Sequence, residues 1–410
     1  MGSPPLAGVR VLDLTWAMAG PFGALHLSLL GAEVIKVESR ARLDGFRLGR
    51  PVLGDEATQA DESLWIELQP SMQAAGRDKL SVTLNMNKPE GLDLVKRLIA
   101  KSDAAMNNYS PGVLQRLGLD YESLRAIKPD IIVLSMPGAG ETGPLRDYVS
   151  YAMTAEALSG MGGLAGYEDG PLLGHLPLAW GDVVNAISGA LAVVTALHHR
   201  NETGQGQSIE AVQLEASAAL MGVPYLDYLM NGRIATPRGN FHPMMAPHNN
   251  YPTQDDRWVA IAVHSDDEWL AFCQATGHPE WHSDPRYADL VARLEHRDQL
   301  DRAVSQWTRE RSSDEAVRRL QEQGIAATPV LTTEDQAADD YFFDRGAFVD
   351  VEHPLLGRLE LPGKTVPIGE MPHSARPAPM LGQDNGYVLG EILGLSTTDI
   401  ARLVEEEAVY

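Results

Sequence analysis

Asp182 opens a long apolar segment, in the context Trp180-Gly181-Asp182-Val183-Val184. The ordinary pKa of an aspartate is about 3.9, so its carboxylate is ionised at neutral pH and can attack an activated carbonyl without a general base. Gly181, immediately before it, carries no side chain to block a substrate. The same position equally suits a helix cap, in which the carboxylate accepts hydrogen bonds from free backbone N–H groups. From the residues alone, Asp182 is either a cap or a nucleophile.

Other nucleophile and metal signatures do not occur in the sequence. It has no G-x-S-x-G segment, no P-loop and no H-E-x-x-H motif, and its histidines lack the spacing of paired metal ligands. His242 and His248 flank a short loop, which is more typical of local hydrogen bonding than of metal ligation. The single cysteine, Cys273, lies in an apolar helical pattern and is predicted to be packed core. We therefore expect no metal site and no thiol chemistry.

Composition and charge exclude several classes of partner. The 410 residues carry a net charge of −23, of which residues 1–150 contribute only −2 and the remaining 260 residues −21. An acidic protein repels nucleic acid and anionic membranes, so neither is expected as a partner. An anionic small molecule is expected only in the electrically balanced N-terminal part. Because the sequence has no uninterrupted apolar run of 18 residues and no basic-then-apolar start, we expect no transmembrane helix, no secretory signal and a cytoplasmic location.

Alternating strand and helix patterns must position the reactive residues. Short β-branched runs predict strands, and apolar residues three or four positions apart predict helices. The predicted strands are residues 9–14, 33–38, 80–84, 104–109, 131–135, 258–263 and 326–331. The predicted helices are residues 21–30, 89–100, 182–199, 266–276, 296–309 and 312–323. The turn at residues 15–21 lacks the G-x-G-x-x-G pattern, so a dinucleotide cofactor is not expected.

The order of these elements predicts an α/β fold in more than one domain. Strands that alternate with helices favour a parallel sheet covered on both faces, and 410 residues exceed one ordinary core. The pattern changes near residue 225. We predict a large α/β domain that begins with residues 1–224, a smaller α/β domain at 225–330, and a C-terminal segment, 331–410, that returns to the large domain.

Short motifs along the chain resemble, in order, those of the class III CoA-transferase family. They are Leu12-Asp13-Leu14-Thr15 with Ala19-Gly20-Pro21, residues 30–38, Asp78-Lys79, residues 108–112 with Arg116-Leu117-Gly118, residues 140–144, Gly181-Asp182, residues 203–207 and residues 381–385. Together these motifs span nearly the whole chain. The resemblance implies a Rossmann-like large domain built from N- and C-terminal segments, a smaller α/β domain, and a homodimer of interlocked rings.

The resemblance also implies a reaction and the residues that perform it. The catalytic aspartate of the family falls on Asp182. Its CoA-contacting positions fall on Ala19, Asn108, Tyr109 and Arg116, with Met18 beside them. In such an enzyme the aspartate forms an acyl-aspartyl anhydride and then an aspartyl-CoA thioester before CoA passes to an acceptor carboxylate. CoA is then a substrate, no tightly bound cofactor is expected, and the glycine-rich segment 160–163 is a candidate to hold the oxyanions.

The phosphate groups of CoA require local cations against the net negative charge. Arg40, Lys79 and Arg116 are the candidates, with Arg42 and Arg47 as weaker ones. Each of them can equally be an ordinary solvated surface charge. The ring of Tyr109 can stack on adenine or simply pack beneath the edge of the sheet.

Two departures from the family pattern bear on the choice of reaction. The racemases of the family use a His that would fall near Tyr151, but residues 146–152 contain none, and a tyrosine with an ordinary pKa of about 10 is a poor acid–base partner. The loop at residues 243–252 lacks the glycine run of the formyl-CoA branch, which favours a larger acceptor such as an aryl or dicarboxylic acid. CoA transfer is therefore the favoured prediction. The alternatives are an acyl-CoA racemase or isomerase, and a non-catalytic CoA-binding subunit of a heteromeric transferase.

Overall fold

A computed structural model of the chain describes residues 3–49, 62–174, 179–364, 368 and 375–410. The chain forms two compact units. Unit 1 comprises Met1–Leu164, Leu173–Ala235 and Tyr341–Tyr410, and unit 2 comprises Ala165–Leu172 and Thr236–Asp340. The predicted smaller domain was 225–330, whereas unit 2 runs from Thr236 to Asp340 and also contains the separate segment Ala165–Leu172.

The secondary structure alternates between strands and helices through most of unit 1. The strands are β1 Arg10–Asp13, β2 Glu33–Glu38, β3 Leu80–Thr83, β4 Ala104–Asn107, β5 Ile132–Ser135, β6 Ser208–Glu210, β7 His248–Pro252, β8 Trp258–Ala262, β9 Ala326–Pro329, β10 Phe348–His353 and β11 Gly357–Pro362. The α-helices are α1 Ala19–Leu29, α2 Pro70–Gly76, α3 Pro89–Ile99, α4 Val113–Leu117, α5 Tyr121–Ile127, α6 Ala152–Ser159, α7 Trp180–Thr203, α8 Gln213–Ala219, α9 Gly222–Asn231, α10 Asp266–Thr276, α11 Glu280–Ser283, α12 Leu290–Glu295, α13 Arg297–Arg309, α14 Ser313–Gln321, α15 Thr333–Ala338, α16 Asp340–Asp344 and α17 Thr397–Glu405. Short 3₁₀ turns at Gly45–Arg47, Glu62–Glu67 and Met161–Gly163 and a π-helical segment at Gly386–Ile392 complete the described elements.

The sheet of unit 1 confirms the predicted α/β class. Among the described residues, six strands form one parallel sheet in the order β3-β2-β1-β4-β5-β6. The chain therefore moves outward from β1 to β3, then returns to the other side of β1 with β4. This order is that of a Rossmann-like sheet, in which ligands bind beyond the carboxyl ends of the strands where the strand order reverses. The reversal lies between β1 and β4.

Both faces of this sheet are covered, because successive side chains of a strand point to opposite faces. On one face Val11 and Met106 pack with residues of α1 and α7. On the other face Leu12 and Ala105 pack with residues of α3, α5 and the C-terminal segment. Burial on both sides explains the apolar run of β5, whereas β1 and β2 also carry the buried charges of Asp13, Lys36 and Glu38.

The C-terminal segment protects β3, which is an edge strand of the parallel sheet. The side chains of Asp384 and Asn385 accept hydrogen bonds from the backbone N–H groups of Ser81 and Thr83, at 2.8 and 2.9 Å. Unpaired N–H groups at a sheet edge otherwise invite association with other chains. The motif at residues 381–385 therefore has a structural role that its position in the sequence did not reveal.

Unit 2 has its own antiparallel sheet and core. Its strands follow the order β7-β8-β9. Trp269, Phe272 and Cys273 of α10 are fully buried against this sheet. Cys273 is packed core, as the sequence predicted. Burial raises the pKa of its thiol to about 12, which leaves it protonated at neutral pH. Strand β7 was not predicted, because the segment around it is rich in Asn, His and Pro.

Helix α7 is long and apolar enough to cross a membrane by length and composition alone, and it is the one such helix among the described residues. Its residues Ala186, Gly189, Ala190 and Val193 are buried within unit 1, and 44% of its apolar stretch is buried. Core helices of this kind pass the same test of length and composition.

Candidate active site

Asp182 lies in the first turn of α7, but it is not the residue in the capping position. Ala179 occupies that position and makes no side-chain capping bond. The carboxylate of Asp182 accepts a hydrogen bond from Nε2 of Gln213, the first residue of α8. The positive end of the α7 helix dipole favours an ionised carboxylate in this turn. The structure therefore places a positioned carboxylate, and not a simple cap, at the start of α7.

A second carboxylate, that of Glu156, fixes the backbone beside Asp182. Glu156 lies on α6, is only 3% exposed, and its Oε1 accepts a hydrogen bond of 2.9 Å from the N–H of Gly181. A free N–H at the start of α7 is thus satisfied from a neighbouring helix. Sequence reasoning missed Glu156. The sequence signal was a lone acidic residue in an apolar helical run, and its partner lies 25 residues away.

Packing favours a residue without a side chain at position 181. A Cβ atom at this position would lie 2.9 Å from Oγ of Ser217 and 3.4 Å from Cγ of Glu156. The sequence suggested that Gly181 keeps a path open for substrate. In the structure its small size lets α6 and α8 approach the start of α7.

Replacement of Glu156 tests whether the anchored backbone matters for activity. Glu156→Ala leaves the Gly181 N–H without this acceptor, which typically costs about 1–3 kcal/mol when the group is buried. Glu156→Gln keeps an acceptor oxygen. We expect Glu156→Ala to lower kcat about tenfold or more, because small displacements of a reacting group slow the reaction, and Glu156→Gln to lower it much less. Steady-state kinetics on both variants checks this. An equal loss in both would show that the hydrogen bond is not what matters.

Two of the predicted CoA-contacting residues, Asn108 and Tyr109, contact Trp16 in the turn that follows β1. Asn108 holds the backbone of Trp16, accepting from its N–H at 3.0 Å and donating to its carbonyl oxygen at 2.6 Å. The ring of Tyr109 packs edge-on against the Trp16 ring, with 5.8 Å between centroids. Met18 and Ala19 begin α1 two residues later. These residues lie at the carboxyl ends of β1 and β4, the point where the strand order reverses.

Tyr109 is partly buried in this cluster. Burial raises the pKa of its phenol to about 12, so the ring remains neutral at physiological pH. The edge-on contact with Trp16 is compatible with both predicted roles of the Tyr109 ring, stacking on adenine and packing beneath the edge of the sheet.

The cationic candidates separate into an exposed and a buried group. Arg40, Arg42 and Arg116 are exposed, and the guanidinium of Arg42 lies 4.0 Å from the centre of the Trp16 ring. The structure places Arg42 beside Trp16, where an exposed cation can reach a phosphate. Arg40, Arg42 and Arg116 stay predicted phosphate contacts.

Lys79 and Arg47 require a correction, because both are buried and paired inside unit 1. The side chain of Lys79 is fully buried. Its Nζ lies 3.0 Å from Oδ2 of Asp13 and 2.8 Å from the carbonyl oxygen of Pro21. Arg47 makes a bidentate pair with Glu38. A cation already satisfied in the interior is not available to a phosphate, so we withdraw both as CoA contacts. The sequence could not distinguish a buried lysine from an exposed one.

Lys79 instead belongs to a buried charge cluster formed by Asp13, Lys36, Asp44 and Lys79. Lys36 Nζ donates to Oδ2 of Asp44 at 2.9 Å and to the carbonyl oxygen of Thr15 at 2.8 Å. Asp44 Oδ1 accepts from the N–H of Ala17, at 3.0 Å. Ala17 has a φ of +59°, a conformation that residues with a side chain rarely adopt. The cluster thus holds the turn that leads to Met18 and Ala19.

Two helices bring this turn and Asp182 to the same end of unit 1. α1 follows β1 and α7 precedes β6, so both run against the strands and begin at the edge where the strands end. They pack closely, since a Cβ on Gly23 would lie 3.0 Å from the carbonyl oxygen of Ala186. Ala19 and Asp182 each precede this contact by one turn, about 6 Å along their helices. The nucleophile candidate and the CoA candidates therefore share one edge of the sheet.

The glycine-rich segment 160–163 is a weaker oxyanion site than the sequence suggested. The N–H groups of Gly160 and Gly163 bond to carbonyl oxygens within the same turn, at 3.3 and 3.2 Å. The N–H of Met161 faces Oγ of Ser159 at 3.4 Å. Three of the four N–H donors of this segment are thus engaged locally.

Tyr151, at the position predicted for a racemase His, is an exposed residue at the start of α6.

No group of three or more His, Cys, Asp or Glu side chains is placed to hold a metal ion among the residues that the structure describes. The chemistry of the described site is that of a carboxylate with a neutral amide donor, beside a turn held by buried charges.

Comparison with known proteins identifies the family. A family model described as CoA-transferase family III matches residues 6–385. The chain belongs to CoA-transferase family III. It is 34% identical to the succinyl-CoA–D-citramalate CoA-transferase of Chloroflexus aurantiacus, over 99% of this chain and 98% of that protein. It is 32% identical to the beta subunit of the succinyl-CoA–L-malate CoA-transferase of the same organism, over 99% and 98% of the two chains.

A solved structure confirms the fold of this family III member. A CAIB/BAIF family protein from Brucella suis superimposes with a TM-score of 0.84 at 28% sequence identity, over 95% of this chain and 100% of that one. The predicted family and fold class are confirmed, and the protein is a class III CoA-transferase.

Proposed function

We propose that this CoA-transferase moves CoA from succinyl-CoA to a dicarboxylic acid, with Asp182 as the covalent carrier. The observation that carries the proposal is the placement of the Asp182 carboxylate in the first turn of α7, hydrogen-bonded by Gln213. The names of the relatives support the choice of substrates, since both act with succinyl-CoA and with an acceptor that has two carboxyl groups. The loop at residues 243–252, without a glycine run, agrees with an acceptor larger than oxalate.

The proposed reaction has two halves that mirror each other. One carboxylate oxygen of Asp182 attacks the thioester carbonyl of succinyl-CoA, and the C–S bond breaks to release CoA thiolate and a succinyl-aspartyl anhydride. The thiolate attacks the aspartyl carbonyl, succinate leaves, and an aspartyl-CoA thioester remains. The acceptor carboxylate then displaces the thiolate, which attacks the acyl carbonyl of the new anhydride and frees Asp182. Covalent catalysis of this kind divides one difficult exchange into easier steps.

A screen for CoA exchange tests the proposed function. The purified chain is incubated with succinyl-CoA or acetyl-CoA and a panel of carboxylic acids, and new CoA esters are detected by mass spectrometry. We expect exchange from succinyl-CoA to C4 or C5 dicarboxylic acids. Deuterium from solvent at the α-carbon of an acyl-CoA, without any acceptor, would instead favour a racemase or isomerase. Binding of CoA without exchange from any donor would favour a non-catalytic subunit.

We also propose that the active form is a homodimer, as the family resemblance implies. None of the residues of α9 is buried in the chain by itself. Val223 and Met230 are 80% and 78% exposed, and Leu226 beside them is exposed as well. Soluble proteins rarely leave such an apolar surface in water, and two-fold homodimers are the commonest assembly that covers one.

A charged substitution on α9 tests the homodimer. Val223→Glu places a charge in the proposed interface, where burying it without a partner is costly. We expect the wild-type chain to sediment as a dimer and Val223→Glu to shift it toward monomer at micromolar concentration. Val291→Glu, at an exposed valine of α12, is the matched control and should leave the dimer intact. A monomeric wild-type chain in analytical ultracentrifugation would refute the homodimer.

A further inference from the structure

The side chain of Gln213 contacts the carboxylate of the proposed nucleophile, Asp182. That side chain is buried, with 7% of the residue exposed, and Nε2 donates to Oδ1 of Asp182. Two hydrogen bonds hold its backbone at the carboxyl end of the sheet. The N–H of Gln213 donates to the carbonyl oxygen of Pro137 at 3.0 Å, and the N–H of Ala211, two residues earlier, donates to the carbonyl oxygen of Ser135 at 2.8 Å. The amide is therefore fixed in place before any substrate arrives.

We propose that Gln213 is a catalytic residue of the transfer reaction, acting as the oxyanion donor for Asp182 itself. The inference rests on the proposed function. In this proposal Oδ2 attacks the acyl-CoA, and Oδ1, to which the amide N–H donates, stays on Asp182 as its carbonyl oxygen. The amide then stabilises negative charge on Oδ1 each time the Asp182 carbonyl carbon is attacked.

The electron balance places the charge on Oδ1 in two of the four substitution steps. In the succinyl-aspartyl anhydride, Cγ of Asp182 carries Oδ1 as its carbonyl oxygen and shares Oδ2 with succinate. When the thiolate sulfur attacks Cγ, the C–S bond forms and the carbonyl electron pair moves onto Oδ1. The pair then returns, the Cγ–Oδ2 bond breaks, and succinate leaves with Oδ2. The acceptor carboxylate repeats this at Cγ, with the thiolate as the leaving group.

The other two steps place the negative charge elsewhere. There the attacked carbon belongs to succinate or to the acceptor, so the charge develops on an oxygen of the substrate. A donor on Oδ1 of Asp182 does not reach that oxygen. Loss of Gln213 should therefore slow the steps at Asp182 Cγ, while binding of acyl-CoA stays nearly unchanged. Loss of one such preorganised donor typically slows a reaction about 10²- to 10³-fold.

The amide of Gln213 suits both of its proposed tasks, holding the resting carboxylate and stabilising the oxyanion, because it is neutral. A lysine at this distance would pair with the carboxylate as a full charge and reduce the nucleophilicity of the ion. An amide gives one directed donor, which serves the carboxylate in the resting enzyme and the oxyanion in the intermediate. The same geometry thus acts at two stages without any rearrangement.

The first experiment measures the aspartyl-CoA thioester in single turnover. Wild-type enzyme and Gln213→Met, which is similar in size but lacks the donor, are mixed with succinyl-CoA, quenched and digested, and the Asp182 peptide is weighed by mass spectrometry. We expect the thioester to form about 10²-fold more slowly in Gln213→Met, with the KM for succinyl-CoA changed less than about threefold. Formation at the wild-type rate would overturn the proposal.

A second variant separates a hydrogen-bond role from a structural one. In Gln213→Glu, the introduced side chain can donate to Asp182 only when it is protonated, and two adjacent carboxyl groups readily share one proton. We expect its rate of thioester formation, relative to wild type, to rise at least tenfold from pH 8 to pH 5.5, while Gln213→Met shows no such rise. A ratio that stays constant with pH would overturn the proposal. If the wild-type enzyme forms no adduct on Asp182 at all, the proposed function fails, and this inference fails with it.

Discussion

Replacing Asp182 with alanine is expected to lower CoA transfer by at least about 10³-fold while the protein remains folded. Removing the nucleophile of a covalent mechanism abolishes every later step, and losses of about 10⁴ to 10⁶ are known for comparable residues. Asp182 is not the capping residue of α7, and the neighbouring N–H of Gly181 is satisfied by Glu156. The substitution should therefore change activity far more than stability. Steady-state rates with succinyl-CoA and thermal unfolding of the same samples measure both effects.

Asp289 provides a matched control for this substitution. It also lies at the start of a helix, but there it is a true cap, whose side chain accepts from the N–H of Ala292 at 2.8 Å. Asp289→Ala should destabilise unit 2 by about 1 kcal/mol, the usual cost of a lost cap, and leave transfer unchanged. Asp182→Ala with wild-type activity would remove the nucleophile from the proposed mechanism.

Replacing Asp13 with alanine is expected to destabilise unit 1 by about 3–5 kcal/mol. This is the usual cost of leaving a buried charge without its partner. The Lys79 ammonium is fully buried and lies 3.0 Å from Asp13, and Lys36 is close enough to lower the pKa of Asp13. Urea unfolding at pH 7 measures the loss. Glu407→Ala is the control, since Glu407 faces Lys88 at 3.9 Å in an exposed pair and such pairs contribute little.

The same residue predicts part of the dependence of stability on pH. Burial by itself would raise the pKa of Asp13, but the charges of Lys79 and Lys36 and the hydrogen bond from Thr15 outweigh it, so the pKa is lowered in the folded protein. A carboxyl group with a lowered pKa stabilises the fold fully at a pH above its ordinary pKa of about 3.9. That contribution is lost as the pH falls below about 3.9 and through the lowered pKa of the folded state. In Asp13→Asn this part of the acid dependence should disappear. An unchanged dependence below pH 4 would contradict the assignment.

The parallel sheet was predictable because its strands are buried on both faces. The run at residues 131–135 is apolar enough to be recognised without a partner, residues 33–38 contain three β-branched residues, and helices such as α3 show clear amphipathic spacing. The same reasoning failed for β7, whose residues are largely polar and half-buried. Its pairing with β8 depends on a partner strand and not on its own sequence pattern.

The site was predictable only in part, for a similar reason. Asp182 could be found because the family motifs point to it, although an aspartate at the start of a helix is by itself typical of a cap. Glu156 and Gln213 lie outside the family motifs, and their importance comes from contacts with residues 25 and 31 positions away in the chain. For Lys79 the sequence suggested a functional role that the structure does not support. Its charge suggested a phosphate contact, but burial beside Asp13 gives it a structural role.

The most direct test of the proposed mechanism is the chemical state of Asp182 during turnover. The wild-type enzyme is mixed with succinyl-CoA in the presence of hydroxylamine, digested, and the peptide that contains Asp182 is analysed by mass spectrometry. The anhydride and the thioester are both activated acyl groups, so we predict conversion of Asp182 to its hydroxamate, only when succinyl-CoA is present. An unmodified Asp182 in an enzyme that continues to exchange CoA would contradict the covalent mechanism.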